Sequence, residues 1–150
     1  MKTTLITGGL GFIGSSICDL LLQKKYTNKC ILLDNFGGYM NPIKDSFIDF
    51  RKQRFPSLKN IIIERCDTSN YKALSSIISK YKPNYIYHTA ALPLAKVSNL
   101  NNDEAKISSV DSTVNIIDAI NLLKNSKQKY QFDRFVYFSS SMVYGDFKKS

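Results

Sequence analysis

Short apolar runs alternate along the chain with longer stretches in which apolar residues recur every three or four positions. The runs "KTTLIT" (2–7), "KCILLD" (29–34), "NIIIERCD" (60–67), "NYIYHTA" (84–90) and "RFVYFSS" (134–140) predict five strands. They are too continuously apolar to leave one face in water. Three helices are predicted between them. The first spans 11–25, with Ile13, Ile17, Leu20 and Leu21 facing in. The second spans 69–81, with Ser69 at its N-cap and Leu74, Ile77 and Ile78 facing in. The third spans 101–125, with Ile107, Val110, Val114, Ile117 and Ile120 on one stripe and Ile116 and Leu123 as further apolar positions. In the polar, aromatic stretch 35–59, Gly37, Gly38 and Pro42 mark a loop, and Asp45 would cap a short helix ending before Pro56. Strand–helix alternation implies an α/β fold: a doubly wound parallel sheet of about five strands with helices on both faces, in one domain over 1–150.

Composition narrows the class. At 150 residues and 43% apolar content the chain can bury a substantial core. No apolar stretch approaches the roughly 20 residues of a membrane-spanning helix. Lys2 alone precedes the first short apolar run, which makes a poor leader peptide. A cytoplasmic protein without a membrane partner is expected. The net charge of +9 raises nucleic acid as a partner, but the charges are dispersed. The densest patch, "RKQRF" (51–55), follows Asp45 and Asp49, so a solvated lysine-rich surface is expected and no nucleic acid. Cys18, Cys30 and Cys66 are odd in number and contain no C-x-x-C pair, which favours buried reduced thiols over disulfide or zinc. His88 is the only histidine, so a histidine-rich metal site is excluded and no metal is expected.

The chemistry is concentrated in the glycines between the first strand and the first helix. Gly9, Gly11 and Gly14 form G-x-G-x-x-G; Gly8, Gly11 and Gly14 form G-x-x-G-x-x-G. The early glycines allow a tight turn and close approach of a pyrophosphate, and the last lets helix pack on strand. The N–H groups of the helix terminus then face the phosphates. A P-loop needs Lys after the final glycine; Ser15 stands there, which disfavours a nucleoside triphosphate. Asp34 lies 20 residues past Gly14, where a carboxylate accepts from ribose hydroxyls and repels a 2′-phosphate. That favours NAD over NADP. The alternative for Asp34 is an ordinary strand-end turn residue.

With these residues in place, "TGGLGFIG" (7–14) resembles the T-G-x-x-G-x-x-G signature of extended short-chain dehydrogenases/reductases, the NAD-dependent sugar epimerase/dehydratase family. Further matches follow in order: "LLDNF" (32–36), "CDTSN" (66–70), "HTAAL" (88–92), "STVNIIDA" (112–119) against G-T-x-N-L-L-E-A, and "FVYFSSSMVYG" (135–145) against S-S-x-x-V-Y-G. The resemblance implies a Rossmann domain that holds NAD through Gly8, Gly11, Phe12, Ile13, Gly14, Asp34, Asn35, Asp67, Thr68, Thr89, Ala90, Ala91 and Ser109. It implies a nucleotide-sugar substrate, a UDP-sugar by family frequency, oxidised transiently at C4 before epimerisation or dehydration. Ser140, four residues before the Tyr of V-Y-G, would hydrogen-bond the reacting oxygen; its alternative is a strand-end capping serine.

Two departures stand out. The long-helix motif usually reads N-x-x-G-T, whereas here Ser109 replaces the Asn and Ser112 the Gly. The family base, the Tyr of Y-x-x-x-K, is expected well downstream of the fifth strand. Tyr144 and Lys148 fit that spacing, but Tyr144 belongs to the V-Y-G turn and Gly145 opposes a helix start, so the pair reads as coincidence. The expectation is an NAD-binding portion whose substrate lobe is not among these residues, either truncated or one piece of a split enzyme. A homodimer, or a partner chain carrying the missing lobe, is the expected assembly. A non-catalytic NAD-binding module, or a remnant of an enzyme, is the alternative. These 150 residues alone are predicted to bind NAD with little or no turnover. Epimerase and dehydratase assays of the purified chain test this, and measurable turnover contradicts it.

Overall fold

The computed structural model describes residues 2–37, 58–92, 102–126 and 129–144, together with Gln53 and Phe55. Five strands form one sheet: β1 (Thr3–Thr7), β2 (Lys29–Asp34), β3 (Ile61–Arg65), β4 (Tyr85–His88) and β5 (Arg134–Tyr137). All neighbours are parallel, in the order β3-β2-β1-β4-β5. Helix α1 (Phe12–Gln23) and helix α2 (Tyr71–Tyr81) are regular. Helix α3 runs as an α-turn Asn102–Ala105, a π-helical stretch Lys106–Asp111 and an α-helix Ser112–Lys124. A 3₁₀ turn, Ser141–Tyr144, follows β5. The doubly wound parallel sheet predicted from the alternation is therefore present.

Alternate strand residues feed two apolar layers. Ile6, Leu10, Cys18, Cys30, Leu32 and Phe55 pack on the α1 side. Leu5, Ile31, Leu33, Ile86, Leu74, Ile78, Ile116 and Ile120 are among those packing on the α2–α3 side. Both faces of β1 and β2 are covered, which is why their sequences are apolar without alternation. Cys18, Cys30 and Cys66 are all buried. At the amino ends of the strands, the Asn84 side chain accepts from the Thr3 N–H and donates to the Gln131 carbonyl, joining three segments. Among the described residues no helix is long and apolar enough to cross a membrane.

The helices depart from the predicted faces. In α1 the buried positions are Gly14, Ser15 and Cys18, while Ile13 and Leu20 are about half exposed, at 52% and 53%. In α3 only Ile120 of the predicted stripe is buried. Ile107, Val110, Val114 and Ile117 are exposed, and Ser112, Ile116, Ala119 and Leu123 face in with Ile120. Both helices carry more apolar residues than one face needs, and the buried face is the one whose small residues allow close approach. The cap of α2 is Asn70, whose side chain accepts from the Ala73 N–H at 3.1 Å; Ser69 is instead held by Asp67. The loop and short helix expected over 38–56, with Gly38, Pro42, Asp45 and "RKQRF", lie outside the described residues apart from positions 53 and 55.

The edge strands are β3 and β5. Glu64 of β3 accepts from Lys80 at 2.9 Å and from the Tyr81 hydroxyl, so α2 supplies polar cover to that edge. Tyr137 and Phe138, at the end of β5, are 49% and 41% exposed. The rotated helix faces give a direct test. Ile116→Ala should lower the unfolding free energy by about 2–5 kcal/mol, while Leu20→Ala should change it by less than about 1 kcal/mol. Urea melts of the two variants check this, and the reverse order contradicts the observed packing.

Candidate functional site

β1 delivers the chain into a left-handed residue, Gly8, at φ +64°. The Gly11 N–H donates back to the Gly8 carbonyl at 2.9 Å, closing the turn. A Cβ on Gly14 would lie 2.4 Å from that same carbonyl oxygen, so α1 can begin over the turn only if glycine stands there. Gly11 is the N-cap of α1; no side chain caps it and no acidic residue sits in the first turn. The positive end of the helix is thus left without an internal anion. Phe12 and Ile13 hold their side chains in solvent.

Asp34 ends β2 and is 8% exposed. Its carboxylate accepts from the Leu10 N–H at 3.1 Å and from the Phe36 N–H at 2.9 Å. It therefore braces the glycine turn against the segment after β2, and each oxygen keeps a second lone pair for a ribose hydroxyl. The two readings of Asp34 are compatible in one geometry. Opposite it in register is Arg65, whose guanidinium stands 5.5 Å from the centre of the Phe36 ring.

Asn35 donates to Asp67 at 3.1 Å, and Asp67 also accepts from the Ser69 N–H and hydroxyl. Partial burial works to raise the Asp67 carboxyl, but the bonds from Ser69 and Asn35 outweigh it and hold the group below the usual carboxylate range. Thr68 beside it is buried. Asn115 on α3 donates to the Thr68 carbonyl at 3.0 Å and the Ser69 carbonyl at 2.9 Å, pinning this turn from behind. The role of Asn115 does not follow from the sequence, where the available signal is an amide inside the "STVNIIDA" motif of a predicted helix.

At the end of β4, the Thr89 hydroxyl donates to the Thr7 carbonyl at 2.6 Å and the Ala90 N–H donates to the Thr7 hydroxyl at 3.2 Å. Gly8 packs directly on this segment: a Cβ there would meet the Ala90 N and Cα at 3.0 Å. His88, 2% exposed, lies 2.6 Å from the Thr7 hydroxyl through Nδ1 and 3.3 Å from the Ser112 hydroxyl through Nε2. Burial pushes the imidazole down to about 4, so it is neutral at pH 7.

The predicted residues of the glycine turn, with Asp34, Asn35, Asp67, Thr68, Thr89, Ala90 and Ala91, thus gather at the carboxyl edge of the sheet. Ser109 is half-buried in the π-helical turn of α3, and its carbonyl accepts from Thr113. Ser140 follows β5 and its carbonyl accepts from the Val143 N–H at 3.2 Å. Tyr144 is 73% exposed, while Gly145 and Lys148 lie outside the described residues. Among the described residues no group of three His, Cys, Asp or Glu side chains is placed to hold a metal.

The sequence profile of the NAD dependent epimerase/dehydratase family matches residues 4–150. The chain belongs to this family. It is 32% identical to a UDP-glucose 4-epimerase of Caenorhabditis elegans over 94% of this chain and 38% of the relative. It is 29% identical to a dTDP-D-glucose 4,6-dehydratase of Dictyostelium discoideum over 97% of this chain and 30% of the relative. The fold matches a UDP-glucose 4-epimerase of Stenotrophomonas maltophila, solved with bound NAD and formylated UDP-arabinopyranose. There the TM-score is 0.75 at 19% identity, covering 99% of this chain and 40% of that one. The chain therefore spans well under half the length of the epimerases and dehydratases it matches.

The buried imidazole makes stability pH-dependent. Between its ordinary 6.5 and about 4, the unfolded chain takes up a proton that folded His88 refuses, so stability falls as pH drops through that window. Glu64, Asp67 and Asp133, held below their ordinary values, lose their contribution further down the scale. Urea unfolding at pH 7, 5.5 and 4.5 should show the decline, and His88→Phe should flatten its upper part. An equal slope in both proteins contradicts the assignment.

Proposed function

We propose that this chain binds NAD across the carboxyl edge of its sheet and serves a nucleotide-sugar epimerase or dehydratase that acts by transient oxidation at C4. What carries this is the glycine turn: closed under Gly14, braced by Asp34, and opening onto an uncapped helix terminus, in a chain of this family. The residues present fit the cofactor. The first turn of α1 offers N–H donors and the positive end of a helix dipole to a pyrophosphate, with no lysine required. Asp34 takes the ribose hydroxyls of the adenosine half on its free lone pairs. Asp67, kept ionised by Ser69 and Asn35, accepts from an adenine amino group, with Thr68 beside it. Residues 89–91 and Ser109 line the path toward the nicotinamide half.

When bound, NAD supplies the hydride acceptor. The Ser140 hydroxyl orients the sugar oxygen that loses its proton, on the β4–β5 half of the edge. A UDP-sugar substrate is supported by the nematode relative and by the UDP ligand of the Stenotrophomonas structure. The dTDP-D-glucose dehydratase relative keeps dehydration beside epimerisation as the fate of the keto sugar. The exposed apolar stripe of α3, from Ile107 through Ile117, supports pairing of two copies.

Calorimetry with NAD and with NADP tests the site. Saturable NAD binding is expected, with NADP weaker. Asp34→Asn should weaken NAD binding about tenfold and narrow the NAD-to-NADP ratio. Loss of the brace alone would weaken both cofactors equally, so the ratio isolates the ribose contact. A folded chain that binds neither cofactor, or prefers NADP, overturns the proposal.

A further inference from the structure

One buried chain of hydrogen bonds crosses this site from the central strand to α3, and its proton positions follow from valence alone. The Ser112 hydroxyl has one proton and donates it to the Ser108 carbonyl at 2.6 Å. Toward His88 it can only accept, so Nε2 carries the ring proton. Nδ1 is then an acceptor, and the Thr7 hydroxyl donates to it at 2.6 Å. The same Thr7 oxygen accepts the Ala90 N–H at 3.2 Å. Each hydroxyl in the path donates once and accepts once, and Thr7, His88 and Ser112 are all buried. The ring is walled by Phe135 and Tyr137 of β5, with centroids 6.2 Å and 5.9 Å away.

This chain of bonds reaches three segments at the carboxyl edge of the sheet. Thr7 immediately precedes Gly8; Ala90 packs on Gly8; Ser108 belongs to the π-helical turn that carries Ser109. A π-helical turn holds its residues with longer, i to i−5 bonds, as the Ser112 N–H to Ile107 carbonyl bond shows, and is more often found at functional sites than elsewhere. Ser112 also stands where the family motif carries glycine, which has no hydroxyl to give. The departure at 112 and the buried histidine at 88 are therefore one feature, not two.

We infer that His88 is a positioning residue, which fixes the spacing between the glycine turn, the 89–91 segment and the π-helical turn of α3, and that Ser112 completes the link. Its consequence for cofactor affinity rests on the NAD reading above; the hydrogen-bond chain itself does not.

The chain contains a single histidine, so the imidazole nitrogen spectrum of the uniformly ¹⁵N-labelled full chain reports His88 alone. A fixed Nε2–H tautomer at pH 7 is expected, with Nδ1 accepting. Ser112→Ala should release the ring to a mixture of tautomers, speed hydrogen exchange of the Ala90 amide, and weaken NAD binding about three- to tenfold. Thr7→Val should weaken NAD binding similarly, and Thr7→Ser, which keeps the hydroxyl, should recover what Thr7→Val loses. An Nδ1–H or averaged ring in the unmodified chain overturns the inference, even if no variant folds. So does a Ser112→Ala spectrum with the ring still fixed, or NAD affinity unmoved in both Ser112→Ala and Thr7→Val. If the unmodified chain binds no NAD, the functional reading fails separately; faster Ala90 exchange in Ser112→Ala then still supports the positioning role, and unchanged exchange overturns it.

Discussion

β1 hydrogen-bonds to β2 on one side and β4 on the other, and that double pairing places the glycine turn, Asp34 and the 89–91 segment at one edge of the sheet. The chain leaves β1, returns beside it as β2, and later crosses over to return on its opposite flank. In open α/β sheets this reversal is the switch point beside which ligands bind, outside the carboxyl ends of the strands. Register does the rest. Thr7 lies opposite Leu33 and His88, so Gly8, Asp34 and Thr89 all emerge at one level. A slip of one residue in either ladder would turn the alternate side chains to the wrong layer and carry Asp34 away from the glycine turn.

Among the described residues, the carboxyl edge is held together mostly by neutral groups. Asp34 is held by two backbone N–H groups, the Asp67 turn by the Asn115 amide, and the β1–β4 junction by hydroxyls and a neutral imidazole. A buried ion pair would need both charges desolvated, which its mutual attraction seldom repays in full. Amides and hydroxyls fix the same geometry at lower cost when every partner is present. Among the described residues no buried side-chain nitrogen or oxygen lacks a partner. The site is built, among the described residues, from peptide groups, amides and hydroxyls rather than lysines, so there a pyrophosphate would be met by peptide dipoles.

The strands were legible because continuous apolar runs leave only burial on both faces as an explanation. The glycine turn was legible because a strand that passes straight into a closely packed helix demands glycine where Cβ atoms would clash, and Asp34 because a strand-end carboxylate is suited to bracing such a turn. The helix faces were not. Ile107, Val110, Val114 and Ile117 form as good a stripe as Ile116, Ile120 and Leu123, and periodicity cannot choose between them. Packing chose through the small residues Ser112 and Ala119, as it chose Gly14, Ser15 and Cys18 over Ile13 and Leu20 in α1. Ser69 and Asn70 are both competent caps, and Asp67, which claims Ser69, broke the tie. The hydrogen bonds of His88 were not legible because its partners lie 81 residues before it and 24 after it, joined only by the fold.

The 81-residue separation of Thr7 and His88 has a kinetic meaning. Pairing β1 with β2 closes a short loop around α1, so that ladder can form early and locally. Pairing β1 with β4 must bring together distant parts of the chain, and the entropy of closing that loop is spent before its contacts repay it. Loop-closure entropy therefore favours completing the carboxyl edge after β2 and β3 have fixed one side of it. Until then the outer flank of β1 is an open template of peptide groups in the middle of the future sheet. The rate at which β4 finds it sets how long the nascent protein stays exposed to mispairing.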